Sequence, residues 1–200
     1  MEYNVEKREI SLKDKVLNDL DKFVLNFVKI LTKYTDYVVV SGYVSILLGR
    51  SRATEDIDLL VPKIEKANFE KLWAEIIKQG FECINTYESN KAFDMLNEHA
   101  IRFFKEIPVP NIEFKQIKND IDKYSFQNRL KVVLSGGIVY ISPIEEQIAY
   151  KLFLGSEKDL EDAKHLYSLF KEKLNKEELS YFVNKLNVEE EFKIIENGEI

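Results

Sequence analysis

Apolar residues recur at helical spacing through SLKDKVLNDLDKFVLNFVKILTKY, residues 11–34, where Leu12, Val16, Leu20, Phe23, Phe27 and Leu31 line one stripe. The pattern predicts an amphipathic helix with Ser11 as its N-cap. A short apolar run from Tyr37 to Val40 then reads as a strand, and Ser41-Gly42 turns the chain into a short helix ending near Gly49. Residues 55–61 predict a second strand, closed by Pro62. Residues 64–79 predict a helix stopped by Gly80.

Further on, Ser89 to Glu98 reads as a helix, Ile101 to Phe104 as a strand, and NIEFKQI (111–117) as a strand introduced by Pro108 and Pro110. KVVLSGGIVYIS is a hairpin pattern turning at Ser135-Gly136-Gly137. From Ser142 onward the pattern is helical throughout: SPIEEQIAYKLFLG, SEKDLEDAKHLYSLFKEKL and NKEELSYFVNKL, the first two with capping residues at their starts. The fold class is therefore α+β. A small mixed sheet flanked by helices, with the N-terminal helix, spans residues 1–141. A helical half-domain follows over residues 142–200, and with only Ser142 and Pro143 between them the two are expected to pack as one unit.

One segment breaks the apolar pattern. The strand DIDLLV carries Asp56 and Asp58 two apart, so both project to one face while Ile57, Leu59 and Val61 project to the other. Neither acid has a basic neighbour on its own strand. A divalent cation would relieve their repulsion, and hard carboxylate oxygens suit Mg²⁺ or Mn²⁺ together with substrate phosphates. Upstream, the Ser41-Gly42 turn between strand and helix favours an anion, and Gly42 lacks a side chain that would hold a phosphate away. Arg50, Arg52 and Lys151 are candidates to steady a polyphosphate. Glu113, flanked by core-facing Ile112 and Phe114, is the candidate third carboxylate for metal binding and for deprotonating a hydroxyl.

Composition limits the alternatives. At 200 residues, with 45% hydrophobic and 32% charged residues, the chain is a folded globular protein rather than a disordered one. The net charge of −6 argues against a surface coated in nonspecific nucleic-acid contacts. A single cysteine, Cys83, excludes an intrachain disulfide and a multi-cysteine metal cluster. The charged start, MEYNVEKREISLKDK, lacks a signal-peptide core, and no apolar stretch is long enough to span a bilayer, so a cytoplasmic protein with no membrane partner is expected.

Structural readings of the same residues stand beside the functional ones. Arg50 and Arg52 suit salt bridges to Glu55 or the acidic pair, and Lys151 suits a solvated helix face. Lys158, Asp159, Glu161 and Asp162 suit an exposed first helical turn. His99 and His165 have no metal-site spacing. Phe103, Phe104, Tyr150 and Phe153 are expected in the core.

The run SGYVSILLGRSRATEDIDLLV resembles the signature of the DNA polymerase beta-like nucleotidyltransferases, and within them the AbiEii-type and minimal nucleotidyltransferase branch. Ser41 and Gly42 match the turn, Arg52 and Thr54 the R-x-T, and Asp56 and Asp58 the metal-binding pair. AYKLFLGSEKDLEDAKHL resembles the family's later helical segment, which implies that Lys151, Lys158, Asp159 and Asp162 lie near the nucleotide or the domain interface. The resemblance spans roughly residues 37–170. Two positions depart from it: Ser-Gly stands where Gly-Gly or Gly-Ser is common, and Glu113 where Asp is commoner.

The resemblance implies a Mg²⁺-dependent enzyme that moves an NMP from an NTP to an acceptor hydroxyl on RNA, a protein or a small molecule. Its AbiEii-type branch implies a toxin with an antitoxin partner. Two other readings stay open. Asp56 with Glu113 and Lys115 also matches the acid-and-lysine arrangement of metal-dependent nucleases, which would leave Asp58 and the turn unexplained. The two departures also suit a catalytically degenerate protein that binds nucleotide or regulates another protein.

Overall fold

The computed structural model describes residues 1–198. The chain opens with two short antiparallel strands, β1 (Glu2–Asn4) and β2 (Glu9–Leu12), and only then enters α1 (Asp19–Leu31). The predicted helix start at Ser11 is thus corrected by one strand and a turn. Two local facts decide it. Residues Glu9 to Leu12 pair in parallel with Lys131 to Leu134 of a distant strand. Asn18 and Asp21 form a reciprocal capping box, with the Asp21 N–H donating to Asn18 Oδ1 at 2.8 Å, so α1 begins where its first free N–H groups find partners. Val16, expected on the helix's apolar face, is 90% exposed instead.

The chain continues through β3 (Val38–Val40), the six-residue α2 (Gly42–Leu47), β4 (Asp56–Val61) and α3 (Lys66–Lys78). Then come β5 (Glu82–Cys83), α4 (Ser89–Glu98), β6 (Ile101–Lys105) and β7 (Ile107–Gln116). An unpredicted helix, α5 (Asp120–Gln127), starts at a second capping box, between Asn119 and Asp122. The hairpin β8 (Leu130–Leu134) and β9 (Gly137–Ile141) follows. Four helices follow among the described residues: α6 (Ile144–Leu154), α7 (Glu157–Phe170), α8 (Lys176–Leu186) and α9 (Glu189–Asn197). Among the described residues no helix is long and apolar enough to cross a membrane.

All the strands join one mixed sheet in the order β1-β2-β8-β9-β3-β4-β7-β6-β5. Next to its central strand β3 lies β4, antiparallel to β3 and parallel to β7. Alternation on β4 behaves as the sequence pattern requires: Ile57, Leu59 and Val61 are fully buried on one face. Each contributes roughly 1.5–3 kcal/mol by leaving water, enough to hold the two aspartates on the opposite face in register. A single hydrophobic core runs from Ile10 through these strands to Ile148, Leu166, Phe182 and Ile195. Helices α6 to α9 therefore contribute to the same core as the sheet. Phe103 lies in it, whereas Phe153 is 56% exposed, contrary to its expected burial.

Candidate active site

Parallel pairing of β4 with β7 sets Asp58 beside Glu113 and Asp56 beside Asn111. Asp56, Asp58 and Glu113 thus share the half-buried face of two adjacent strands, with Ile112 and Phe114 buried on the other. Antiparallel pairing adds Arg102 of β6 next to Glu113, and Val40 of β3 next to Asp58. A cleft of about 860 Å³ opens over this face between the sheet, α5 and α6. Ser41, Asp58, Arg102, Glu113, Lys115 and Tyr150 all line it.

The acids are not bare. Lys115 Nζ lies 2.6 Å from Asp58 Oδ1 and 2.8 Å from Glu113 Oε2. Arg102 donates to Glu113 Oε1 at 2.6 Å. Burial pushes the Lys115 ammonium down, but the Asp58 and Glu113 carboxylates outweigh it and hold Lys115 above the ordinary lysine value. Reading β4 alone therefore missed the neutralising base, because it arrives from the neighbouring strand, two residues beyond Glu113 on the same face.

This bears directly on the metal expected at Asp56, Asp58 and Glu113. Among the described residues, no three acidic, histidine or cysteine side chains converge closely enough to hold an ion. The donor chemistry nevertheless suits a hard divalent cation: three carboxylates share one face, and a cationic group already stands between two of them. Lys115 has to turn aside for an ion to enter there.

The basic residues expected to steady a polyphosphate are placed elsewhere. Arg52 forms a two-pronged pair with Asp162, Nε to Oδ1 at 3.0 Å and Nη2 to Oδ2 at 2.7 Å. Lys151, almost fully buried on α6, lies 2.6 Å from Asp159 and 3.1 Å from Asp162. Arg50 binds Glu161 and stands 3.8 Å from Asp162. Arg50, Arg52 and Lys151 are thus committed to the α7 carboxylates in an ion cluster behind the turn, and none lines the cleft. Burial pushes the Asp159 carboxyl up, but its bonds to Lys151 and Ser156 hold it below the usual range. Lys158 is exposed at the start of α7. The Thr54 hydroxyl donates to the Asp56 carbonyl at 2.9 Å, fixing the strand's entry rather than meeting the cleft.

The Ser41-Gly42 turn is flanked by Gln147 of α6 and by Arg52. An ideal Cβ on Gly42 would stand 2.7 Å from Arg52 Nη2, so the missing side chain makes room for this guanidinium rather than for a cleft ligand. Ser41 has φ 62 and ψ −134. Its N–H donates to Gln147 Oε1 at 3.2 Å, and Gln147 Nε2 donates to its carbonyl at 2.8 Å. The turn expected to favour an anion thus has its Ser41 N–H already occupied by Gln147. Gln147 of α6 holds Ser41 directly, and Arg52, paired with Asp162 of α7, stands against Gly42.

Sequence reasoning passed over Gln147, Arg102 and Glu146 because each gains its role only across the tertiary fold, and Tyr150, expected in the core, is half-buried at the cleft instead. Glu146 is buried at the cleft wall, 2.7 Å from the Ser125 hydroxyl, and burial lifts its carboxyl to about 8. Its neighbour in sequence to Gln147 offered no periodic or motif signal. Of the histidines, His165 Nε2 lies 3.2 Å from the Leu48 carbonyl and His99 lines the cleft rim.

No family model matches this sequence, and none of the curated proteins compared matches it. Solved structures do. An antigenic nucleotidyltransferase-like protein from Paracoccidioides brasiliensis superposes with a TM-score of 0.53 at 16% identity, covering 82% of this chain and 85% of its own. The antibiotic-resistance factor ANT(2'')-Ia in solution superposes with a TM-score of 0.53 at 14% identity, covering 91% of this chain and 98% of its own. The same factor crystallised with adenylyl-2''-tobramycin gives a TM-score of 0.53 at 14% identity, over 84% of this chain and 95% of its own. At these identities the likeness establishes the fold alone: a mixed sheet with flanking helices, as in these nucleotidyltransferase-fold structures.

Proposed function

We propose that this chain is a nucleotidyltransferase that transfers an NMP from a Mg²⁺- or Mn²⁺-bound NTP to an acceptor hydroxyl. The observation that carries the reading is the in-register placement of Asp58 and Glu113, with Asp56 on the same face, at the wall of a cleft on the nucleotidyltransferase fold. Asp56, Asp58 and Glu113 would hold the cation, which offsets charge on the phosphates when bound. Lys115, released from the carboxylates, is within reach of the same space to pair with phosphate oxygens. The acceptor oxygen forms its bond to the α-phosphorus, the bond from that phosphorus to the bridging oxygen breaks, and pyrophosphate leaves. Glu113 takes the hydroxyl proton.

ANT(2'')-Ia, crystallised with an adenylylated tobramycin, supports a small-molecule acceptor. An RNA end or a protein side chain as acceptor, and a toxin role with an antitoxin partner, rest on the resemblance of the R-x-T-x-D-x-D run alone. A second reading, nucleotide binding without transfer, is favoured by one observation: the resident ammonium and guanidinium that satisfy Asp58 and Glu113.

The test supplies α-phosphate-labelled NTPs, one base at a time, with Mg²⁺ or Mn²⁺. Aminoglycosides and other small hydroxyl compounds, total RNA and a cell lysate serve as acceptors. Label moving to an acceptor with the wild type, and not with the Asp56→Asn/Asp58→Asn double variant, is the expected result. Nucleotide binding without label transfer to any acceptor would overturn the transferase in favour of the binding role. Cleavage of nucleic acid that survives Asp58→Asn would point to the nuclease arrangement of Asp56, Glu113 and Lys115 instead.

A further inference from the structure

Ser41 holds a backbone conformation that side chains avoid. A φ of 62 with a ψ of −134 falls outside the regions open to a residue bearing a Cβ, and glycine is the residue that enters it freely. Such a conformation persists where its surroundings over-determine it. Here one side chain meets both of its backbone groups, beside the Val44 N–H of α2 that donates to the Ser41 carbonyl at 3.2 Å. Gln147 is buried and accepts from the Ser41 N–H while donating to the Ser41 carbonyl. Its Oε1 also accepts from the Ser142 hydroxyl at 2.8 Å, which fixes the amide's orientation. Ser142 is in turn anchored by its own N–H, which donates to the Val39 carbonyl at 3.0 Å. The clamp is thus built from the end of β3, the end of β9 and the start of α6, and nothing in it is free to rotate.

We propose that Gln147 is a positioning residue for the nucleotide site: it holds Ser41 in its left-handed conformation, and so keeps the turn at the cleft wall beside Asp58. Val40, which precedes Ser41, is the residue that pairs with Asp58 across β3 and β4. A turn that relaxed toward an ordinary conformation would swing the chain after Val40 and move Ser41 away from that acid. The inference rests on the nucleotidyltransferase reading for its functional consequence, whereas the clamp itself stands on backbone geometry. It also makes sense of serine at a position where the resembling sequences commonly carry glycine: glycine needs no clamp, and serine does.

A thermodynamic cycle separates the two claims. Wild type, Gln147→Ala, Ser41→Gly and the double variant are compared by thermal unfolding and by titration with Mg²⁺ and a non-hydrolysable ATP analogue. Gln147→Ala is expected to lower Tm less in the wild-type background than in the Ser41→Gly background, since a released serine relaxes and sheds its backbone strain while glycine has none to shed. It is also expected to weaken analogue binding by on the order of tenfold in the wild-type background and far less in the Ser41→Gly background, a coupling within the range that contacting residues show. Equal Tm losses in both backgrounds would overturn the clamp. Coupled Tm losses with uncoupled or unchanged binding would overturn the positioning role. Should no protein, wild type included, bind the analogue, the function reading fails, and the Tm cycle still decides whether Gln147 holds Ser41. If Gln147→Ala does not fold, Ser41→Gly alone decides: a Tm at or above the wild type supports a strained serine, and a clear fall overturns it.

Discussion

Arg52 and Asp162, 110 residues apart in the chain, form a two-pronged ion pair whose guanidinium rests where a Cβ of Gly42 would stand. The pair joins the segment before β4 to α7, and it does so against the turn that borders the cleft. Asp162 is completely buried and also serves Lys151. A buried carboxylate that satisfies two cations is costly to remove because both are left without a partner.

Asp162→Asn is therefore expected to destabilise the fold by about 3–5 kcal/mol, the range for breaking a buried pair. For a chain of this size that corresponds to a fall in Tm of roughly 6–20 °C, checked by calorimetry. A variant within a degree or two of the wild type would show that the cluster is idle in the folded state.

Gly42→Ala tests the same joint from the other side. The new methyl would meet Arg52 Nη2 at 2.7 Å, so the guanidinium must shift and lose part of its grip on Asp162. The expected cost is about 1–3 kcal/mol, as for other overpacked sites. It should largely disappear in an Arg52→Ala background, which equilibrium denaturation of the single and double variants measures.

Lys115→Met is expected to tighten Mn²⁺ binding by on the order of tenfold, since a unit positive charge within 3 Å of Asp58 and Glu113 no longer competes. The metal-free protein should lose stability at the same time, because the two carboxylates then face each other uncompensated. Electron paramagnetic resonance titration of Mn²⁺ reads the first effect and thermal unfolding with and without metal the second. Unchanged Mn²⁺ affinity would remove Asp58 and Glu113 from the metal site.

Stability should fall as pH rises from about 5 to 8, and Glu146 is one cause. Its folded carboxyl is raised by burial from 4.5 to about 8, so between those values the folded protein holds a proton that the unfolded chain releases. The contribution is full below pH 4.5 and is lost as pH passes through 8. The Ser125 hydroxyl donates to Glu146 at 2.7 Å, which pulls the carboxyl down without offsetting its burial. Glu146→Gln keeps the shape and removes the proton, so Tm measured against pH should flatten over this window. The flattening is partial, because burial also raises Glu145.

Much of the architecture is written in local pattern. Alternation fixed the two faces of β4, and the Ser-Gly-Gly turn fixed the β8–β9 hairpin. The change from strand alternation to helical spacing at Ser142-Pro143 was visible, where β9 ends and α6 begins. Those signals need only the chain's own periodicity, because burial of one face selects the register. The N-terminal strands failed the same test: EISL is short, its partner lies far along the chain, and the apolar residues after it also fit a helical stripe.

The acidic face, too, was readable: Asp56 and Asp58 stand out because an apolar strand tolerates two acids only where something answers them. What answers them was not readable. A strand's own sequence names the residues on its face but not those of its neighbour, and only the β4–β7 register brought Lys115 and Glu113 to Asp58. For the same reason Arg52, Lys151 and Gly42 carried their identities in the sequence but not their partners. Whether a cation faces a ligand or a buried carboxylate depends on which helix packs behind the turn, and that is settled by the shared core that seats α6 and α7 against the sheet.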